Sequence, residues 1–348
     1  MFSFGGEAAI GLSIGSSAIK LVELKRVRKS WKLVHFGSIQ LPEDSIVNRE
    51  IVNGVAVAEG LRTLVNQLRM QKKSICAGLA GNSVIIKRMM IDVPNARELQ
   101  DTVFWEAEQY LPFDVSEVVM DYETLNRSET GQTDVLLVAV KKTFLDSYAS
   151  IIEEAALKPK IMDVEFFALQ NLFEASYPTS KNEAVCIVDI GAASLKMIVI
   201  HGGVPVFTKD SALGGKNLTQ EIQKHLNLSF SDAEALKVGG RGGGTPQEVS
   251  DLMQIMAENF AAEIKRGIDF YNASSASAPV SFILLTGGAS RIGDLSRIVQ
   301  EGVGVGVQIL NPFQAITYDP AVFTQDYVAS IAAVAAVPLG LAIRMGST

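Results

Sequence analysis

An apolar run over residues 9–24, broken at Gly11, Ser13, Gly15, Ser16 and Ser17, predicts a strand, a tight glycine/serine turn and a second strand. Residues 31–41 alternate roughly and predict a third strand. Across residues 51–71, Val55, Leu61, Leu64, Val65 and Leu68 recur on one helical face, and 74–80 reads as another strand. The texture changes from residue 85. A strand at 85–93 is closed by Pro94, and an amphipathic helix at 96–111 stops before Pro112. Strands at 118–125 and 134–141 enclose the polar hairpin 126–133. A helix at 143–156, with Thr143 at its N-cap, leads to one more strand at 160–164. The order strand–helix–strand–strand–helix–strand predicts a compact inserted subdomain.

Past a helix at 166–177 and a polar link at 178–182, the opening pattern returns. Residues 184–200 read as two apolar strands around Asp189-Ile190-Gly191-Ala192-Ala193-Ser194. Lys20 and Lys196 each lie five positions beyond the glycine of their turn, so the two copies are 176 residues apart. Repetition of this kind predicts two lobes of related design facing each other, although two short turns also coincide by chance. Helices are expected at 216–225 and 231–237, a glycine-rich loop at 239–244, and a long helix at 246–272. A short Ser/Ala linker at 273–278 follows, then a strand at 280–285 that runs into Thr286-Gly287-Gly288-Ala289-Ser290-Arg291, with a helix beyond. The apolar stretch 328–343 is shorter than the ~20 residues a membrane span requires. It contains Ser330, Pro338 and Gly340, and is expected to be a buried terminal helix.

Composition narrows the class. A chain of 348 residues holds about two domains, and 48% hydrophobic with 20% charged residues supports a large core and excludes disorder. A net charge of −7 argues against a general nucleic-acid binder. Cys76 and Cys186 lie in separate apolar strands, suit a reducing cytosol and are expected to be inert. His35, His201 and His225 have no catalytic partner nearby in sequence. No basic segment precedes the first apolar run and Glu7 interrupts it, so a signal peptide is not expected. Residues 1–4 offer two phenylalanines without a basic cluster, a weak membrane anchor at best.

Chemistry is concentrated in three turns. The first, Ser13 to Ser17, places backbone N–H groups and two hydroxyls at a bend where glycine admits a phosphate, with Lys20 in reach; an ordinary hairpin turn has the same pattern. Asp189 ends a buried strand, where a carboxylate either caps the turn or coordinates hydrated Mg²⁺. The third, residues 284–291, is strand, Gly-Gly and helix start, suited to packing on a planar base and equally common in plain strand-to-helix loops. Each signal is weak alone. The three in this order are much stronger.

That combination resembles the class of ATP-binding folds shared by actin, heat-shock chaperones and sugar kinases: a first phosphate loop at 13–20, a second at 189–194 and an adenosine motif at 286–291. The inserted unit is similar to the subdomain of FtsA-type actin homologues. The strings 105–113 (WEAEQYLPF), 118–122 (VVMDY), 134–139 (DVLLVA), 269–271 (DFY) and 310–313 (LNPF) resemble the PilM family of type IV pilus assembly proteins, over nearly the whole chain. The resemblance implies an α/β, actin-like and ribonuclease-H-like two-lobed fold. It divides the chain into a first core subdomain (1–83 and 165–181), an FtsA-like insertion (84–164), a second core subdomain (182–216 and 281–348) and a helical subdomain (217–280).

The same resemblance implies ATP and Mg²⁺ as ligands. Gly15, Ser16, Ser17 and Lys20 would face the β- and γ-phosphates, with Gly191, Ala192 and Ser194 closing from the other lobe. Asp189 would hold Mg²⁺ through water. Gly214, Gly215, Lys216, Asn217 and Thr219 would lie beside the ribose, and Gly287, Gly288, Ala289 and Arg291 would form the purine shelf. Glu263 and Arg266, at i and i+3, either touch the ribose or adenine edge or form an exposed ion pair. Glu165 either positions the attacking water or stabilises its helix N-terminus. One departure matters. The family pattern usually opens the first loop with Asp, and here the position is Ser13. ATP binding with slow or no hydrolysis is therefore expected.

As partners the resemblance implies the cytoplasmic N-terminal peptide of the membrane protein PilN, held in a groove lined from the 80–125 region. Pilus motor ATPases, the platform protein and self-association are further implied contacts; nucleic acid is not. The location implied is cytoplasmic, peripheral to the inner membrane through that partner. A sugar-type kinase and an FtsA-like division protein remain alternatives. The kinase needs a catalytic Asp in the cleft, and the division protein a basic amphipathic C-terminal helix.

Overall fold

The computed structural model describes residues 8–93, 96–128, 132–178, 182–239, 245–274 and 278–347. The expected weak anchor at residues 1–4 and most of the 239–244 loop, Arg241 included, lie outside the described residues. Strands β1 (Ala9–Ile14), β2 (Ala18–Val27) and β3 (Ser30–Gln40) form an antiparallel meander. A short hairpin follows, β4 (Ile46–Val47) and β5 (Glu50–Ile51). It turns through Asn48 and Arg49 at φ 50° and 69°, the left-handed pair of a type I′ turn. Ile51 is thus held in a strand, and helix α1 (Gly54–Gln67) begins later than expected, after Asn53 accepts a bond from the Ala56 N–H. Strand β6 (Ser74–Leu79) runs parallel to β1.

Strand β7 (Val84–Asp92), helix α2 (Leu99–Ala107), β8 (Val118–Arg127) and β9 (Gln132–Lys141) make a separate small unit: a sheet in the order β7-β9-β8 with α2 packed on it through Leu99, Val103 and Ala107. The independent sheet ends there, earlier than the insertion expected over 84–164. Helix α3 (Lys142–Glu154) buries Phe144, Tyr148, Ile151 and Ile152 in the core that also holds Leu61, Leu64 and Val65 of α1. Lys141 occupies the N-cap of α3 without a side-chain bond, so Thr143 does not cap it. Strand β10 (Lys158–Val164) pairs in parallel with β6 and joins the large first sheet, whose order is β10-β6-β1-β2-β3-β16.

Helix α4 (Glu165–Ser176) leads to the second lobe. There β11 (Ala184–Ile190), β12 (Leu195–His201) and β13 (Val204–Ser211) repeat the antiparallel meander. Next come α5 (Gly215–Leu226), α6 (Phe230–Lys237), the long α7 (Gln247–Ser274), β14 (Val280–Thr286), α8 (Leu295–Val303) and β15 (Gly306–Ile309). Their sheet has the order β13-β12-β11-β14-β15. Strand β16 (Ile316–Thr317) returns to the first sheet beside β3, and α9 (Gln325–Met345) closes the chain.

Helices α4 and α9 pack between the two sheets. One apolar core joins Val22, Leu24 and Leu33 of the first sheet to Ile187, Ile198 and Leu284 of the second, with Leu169, Leu172, Leu339 and Leu341 between them. The helices cross where Gly340 meets Ala168: a Cβ at 340 would fall 1.8 Å from the Ala168 carbonyl oxygen. Helix α9 is long and apolar enough to cross a membrane by composition, yet 78% of its most apolar window is buried here.

Candidate functional site

The β1–β2 and β11–β12 hairpins face each other across a cleft of about 1090 Å³. Their turns close in the same way. The Gly15 N–H donates to the Ala18 carbonyl (3.0 Å), and the Gly191 N–H to the Ser194 carbonyl (2.8 Å). In register, Ser13 sits opposite Lys20 and Asp189 opposite Lys196. The repeat therefore extends to the placement of one lysine per lobe.

Two further segments dock on the second hairpin. The first turn of α5 donates from Gly215 N–H to the Gly191 carbonyl (2.9 Å) and from Lys216 N–H to the Ala192 carbonyl (2.7 Å). The Gly-Gly turn after β14 donates from Ala289 N–H to the Ile190 carbonyl (3.0 Å) and from Gly287 N–H to the Ala333 carbonyl of α9 (2.8 Å). Gly287 has φ +90°, and a Cβ there would lie 2.4 Å from Asp189 Oδ1, so only glycine fits.

Most of the expected residues meet in this cleft. Gly15, Ser16, Ser17, Lys20, Glu165, Asp189, Gly191, Ala192, Ser194, Gly215, Lys216, Gly287, Gly288, Ala289 and Arg291 all line it. Three lie one layer back. Asn217 accepts from the Gly214 N–H (2.8 Å) and so fixes the start of α5. Thr219 is fully buried, donating to Glu234 Oε2 (2.5 Å) and accepting from Lys237 Nζ (2.9 Å).

Glu263 and Arg266 are not among the residues that line the cleft, and of the two alternatives the ion pair is the one formed. The Glu263 carboxylate is turned toward β13, where Lys209 Nζ lies 2.8 Å away and Ser211 donates to it, while Arg266 pairs with it from the next turn of α7. Burial opposes its ionisation, but the bonds from Lys209, Ser211 and Arg266 outweigh that and hold its pKa down to about 2. This is a structural ion cluster.

The cleft floor is a charge network. Lys196 Nζ lies 2.5 Å from Glu165 Oε2 and 2.8 Å from Asp189 Oδ2, with all three side chains under a tenth exposed. Ser13 Oγ donates to the other Glu165 oxygen at 3.1 Å. Burial disfavours the Glu165 carboxylate, but Lys196, the Ser13 bond and Arg49 outweigh it and lower the pKa. Burial likewise works against the Lys196 ammonium, and the two carboxylates overcome it and raise its pKa. Lys20 is different: burial lowers its pKa despite Asp189 and Glu165.

Sequence reasoning missed Arg49, Tyr148, Glu234 and Lys237 at the site, and noted Lys196 only as part of the repeat. Arg49 arrives by the left-handed turn of the β4–β5 hairpin and lines the cleft. Lys237 reaches back from α6 to the Gly215 carbonyl at 3.2 Å. The i, i+3 spacing of Glu234 and Lys237 was the available signal. Nothing in sequence pointed Arg49 at the cleft.

The residues present do not fit the Mg²⁺ expected at Asp189. A hydrated Mg²⁺ requires carboxylate or phosphate oxygens free to accept its waters, whereas an ammonium already bridges the Asp189 and Glu165 oxygens that face each other. Among the described residues, no group of three or more His, Cys, Asp or Glu side chains is arranged to hold a metal.

Comparison with known proteins places this geometry in a family. A family model described as type IV pilus assembly protein PilM matches residues 11–346. The chain superposes on a solved PilM-PilN type IV pilus biogenesis complex with a TM-score of 0.87 and 27% identity, covering 97% of this chain and 98% of that one. It is 22% identical to the cell division protein FtsA of Enterococcus hirae, covering 93% of this chain and 84% of that protein. MreB5 of Spiroplasma citri bound to ADP shares the fold at a TM-score of 0.54 and 11% identity, covering 96% of this chain and 94% of that one.

Proposed function

The chain belongs to the type IV pilus assembly protein PilM family, and from that premise we propose that it is a cytoplasmic, actin-like scaffold that binds ATP between its lobes and captures the cytoplasmic N-terminal tail of PilN. Through that tail it sits at the inner membrane and couples the pilus motor to the periplasmic machinery. Pilus motor ATPases and the platform protein are its further contacts. The observation that carries the reading is the similarity over nearly the whole chain to a protein solved in a PilM-PilN complex.

Local chemistry supports a nucleotide. Two glycine turns offer backbone N–H groups from opposite lobes, and the cleft lining as a whole carries more basic side chains (Lys20, Arg49, Lys196, Lys216, Lys237 and Arg291) than acidic ones (Glu43, Glu165, Asp189 and Glu234), which suits a polyphosphate. Gly287, Gly288 and Ala289, with Met253 and Ile292 nearby in the lining, offer the purine an apolar shelf. Hydrolysis is slow or absent. Ser13 supplies no carboxylate, and both Glu165 oxygens already accept bonds from Ser13 and Lys196, which weakens Glu165 as a base for the attacking water. Turnover near ~1 s⁻¹ in a phosphate-release assay, an ordinary enzyme rate, contradicts this.

For the PilN tail, the small three-stranded unit supplies an exposed apolar set within the 80–125 region: Met90, Trp105, Tyr110 and Val119. Lys87 lies over the Tyr110 ring at 4.6 Å, adding a cation beside it. The competing kinase requires a catalytic Asp where Ser13 stands. The FtsA-like division reading requires a membrane-surface helix, and α9 is core. A pull-down with synthetic N-terminal peptides of the neighbouring membrane protein separates the readings. Peptide capture without sugar-dependent ADP formation supports the scaffold, and the reverse result supports the kinase.

A further inference from the structure

The nucleotide cleft contains a cation of its own. Lys196 leaves β12 directly opposite Asp189 of β11, the central strand of the five-stranded sheet, and its neighbours along β12 are buried. Its ammonium lies 2.8 Å from Asp189 Oδ2 and 2.5 Å from Glu165 Oε2, and its side chain is 8% exposed. It therefore spans the second-lobe hairpin and the start of α4, the two elements whose carboxylates a divalent ion in this cleft would have to bridge. On the first lobe, Ser13 replaces a carboxylate and spends its hydroxyl on Glu165. The matching lysine of the first hairpin, Lys20, also lines the floor.

These placements alter what the cleft requires. The cleft lining carries Lys20, Arg49, Lys196, Lys216, Lys237 and Arg291 against Glu43, Glu165, Asp189 and Glu234, and Arg49 is also paired with Asp210, so the cleft is slightly positive before any metal enters. A divalent ion added there meets an ammonium already seated between the Glu165 and Asp189 carboxylates, and Mg²⁺ gives up its inner waters reluctantly. A polyphosphate meets the opposite situation, since its charge is complementary to what is present.

Resting on the nucleotide reading above, we propose that Lys196 takes the place of the divalent cation in this cleft, so that the protein binds a nucleoside triphosphate equally well with and without Mg²⁺. Lysine is suited to this as a compact point charge with three donors: two are spent on Glu165 and Asp189, and the third is available to a phosphate oxygen.

The test is calorimetric titration of the intact protein with ATP, once in excess Mg²⁺ and once in excess EDTA. The expected result is a pair of dissociation constants within about threefold of each other. ATP binding in Mg²⁺ that weakens more than about tenfold in EDTA overturns the proposal and leaves the nucleotide reading standing. No binding in either buffer overturns both. A second arm uses Lys196→Met, which frees both carboxylates. In EDTA it is expected to lose at least about tenfold in affinity, and to recover part of that loss when Mg²⁺ is supplied. Lys196→Arg keeps the charge and is expected to bind in EDTA. A Lys196→Met protein that binds ATP in EDTA as well as the parent also overturns the proposal. A lysine that served only to stabilise the fold would leave the metal dependence unchanged in every variant that folds.

Discussion

Arg49 of the first lobe and Asp210 of the second form an ion pair beside the cleft, through both guanidinium Nη atoms and both carboxylate oxygens. The two side chains are 17% and 23% exposed, so the pair is screened less than a surface salt bridge. It joins the left-handed tip of the β4–β5 hairpin to β13, and the lobes are otherwise joined mainly by α4, α9 and β16. Asp210→Ala is expected to destabilise the protein by about 1 kcal/mol, near the upper end for partly exposed pairs. In a double-mutant cycle with Arg49→Ala, urea unfolding should return a coupling energy of about 0.5 kcal/mol or more. A coupling of zero removes the pair as a link between lobes.

Gly287 and Gly288 are adjacent, and their substitutions separate sharply. A Cβ at 287 meets Asp189 and the Ile190 carbonyl at 2.4 Å with φ at +90°, whereas the nearest atom to a Cβ at 288 is 3.6 Å away. Gly287→Ala is expected to cost about 1–3 kcal/mol and to abolish ATP binding. Gly288→Ala should stay within about 0.5 kcal/mol of the parent. Equal effects on thermal unfolding and nucleotide affinity contradict the close approach of this turn to the second hairpin.

Acid should expose the Glu263 cluster. Its carboxyl sits at about 2 in the folded protein against an ordinary 4.5. A depressed acid pKa contributes stability that is complete above the unfolded value and is lost as pH falls from about 4.5 toward 2. Glu263→Gln should therefore be less stable than the parent at pH 7 and approach it in this window. The difference at neutral pH is about 1.5–3 kcal/mol, the range for hydrogen bonds to a charged group. Parallel stability curves for the two proteins between pH 7 and 2.5 contradict the assignment.

Trp105 is 64% exposed on α2, so its removal costs the fold little. Trp105→Ala is expected to weaken binding of a PilN tail peptide by about tenfold or more, the loss typical of an aromatic anchor, while ATP affinity is unchanged. A Trp105→Ala protein with parental peptide affinity relocates the groove away from α2.

The actin-like fold was legible because its signals are local: a glycine hairpin, the same hairpin again, and a strand ending in Gly-Gly. Each of these turns is set by its own residues, and the structure brings them to one cleft. Features set by distant packing were not legible. Strand β10 resembles the end of an insertion in sequence, yet it joins the first sheet because β6 offers a parallel edge. Strand β13 went unread because its half-buried face lacks a clean alternation. Glu263 and Arg266 carried the i, i+3 spacing of a binding pair, but Lys209 and Ser211, more than fifty residues earlier, decide where that carboxylate points. Lys196 was visible as the echo of Lys20; its role at the floor required Glu165 and Asp189 to be placed around it.

The most direct test of the account is calorimetric titration of the intact, ATP-loaded protein with a synthetic peptide of the cytoplasmic N-terminal segment of PilN from the same organism. Saturable binding of one peptide per chain, with a dissociation constant of about 1 μM or tighter (roughly −8 kcal/mol), is the predicted result. A folded, ATP-binding protein that shows no heat and no saturation with that peptide contradicts the scaffold.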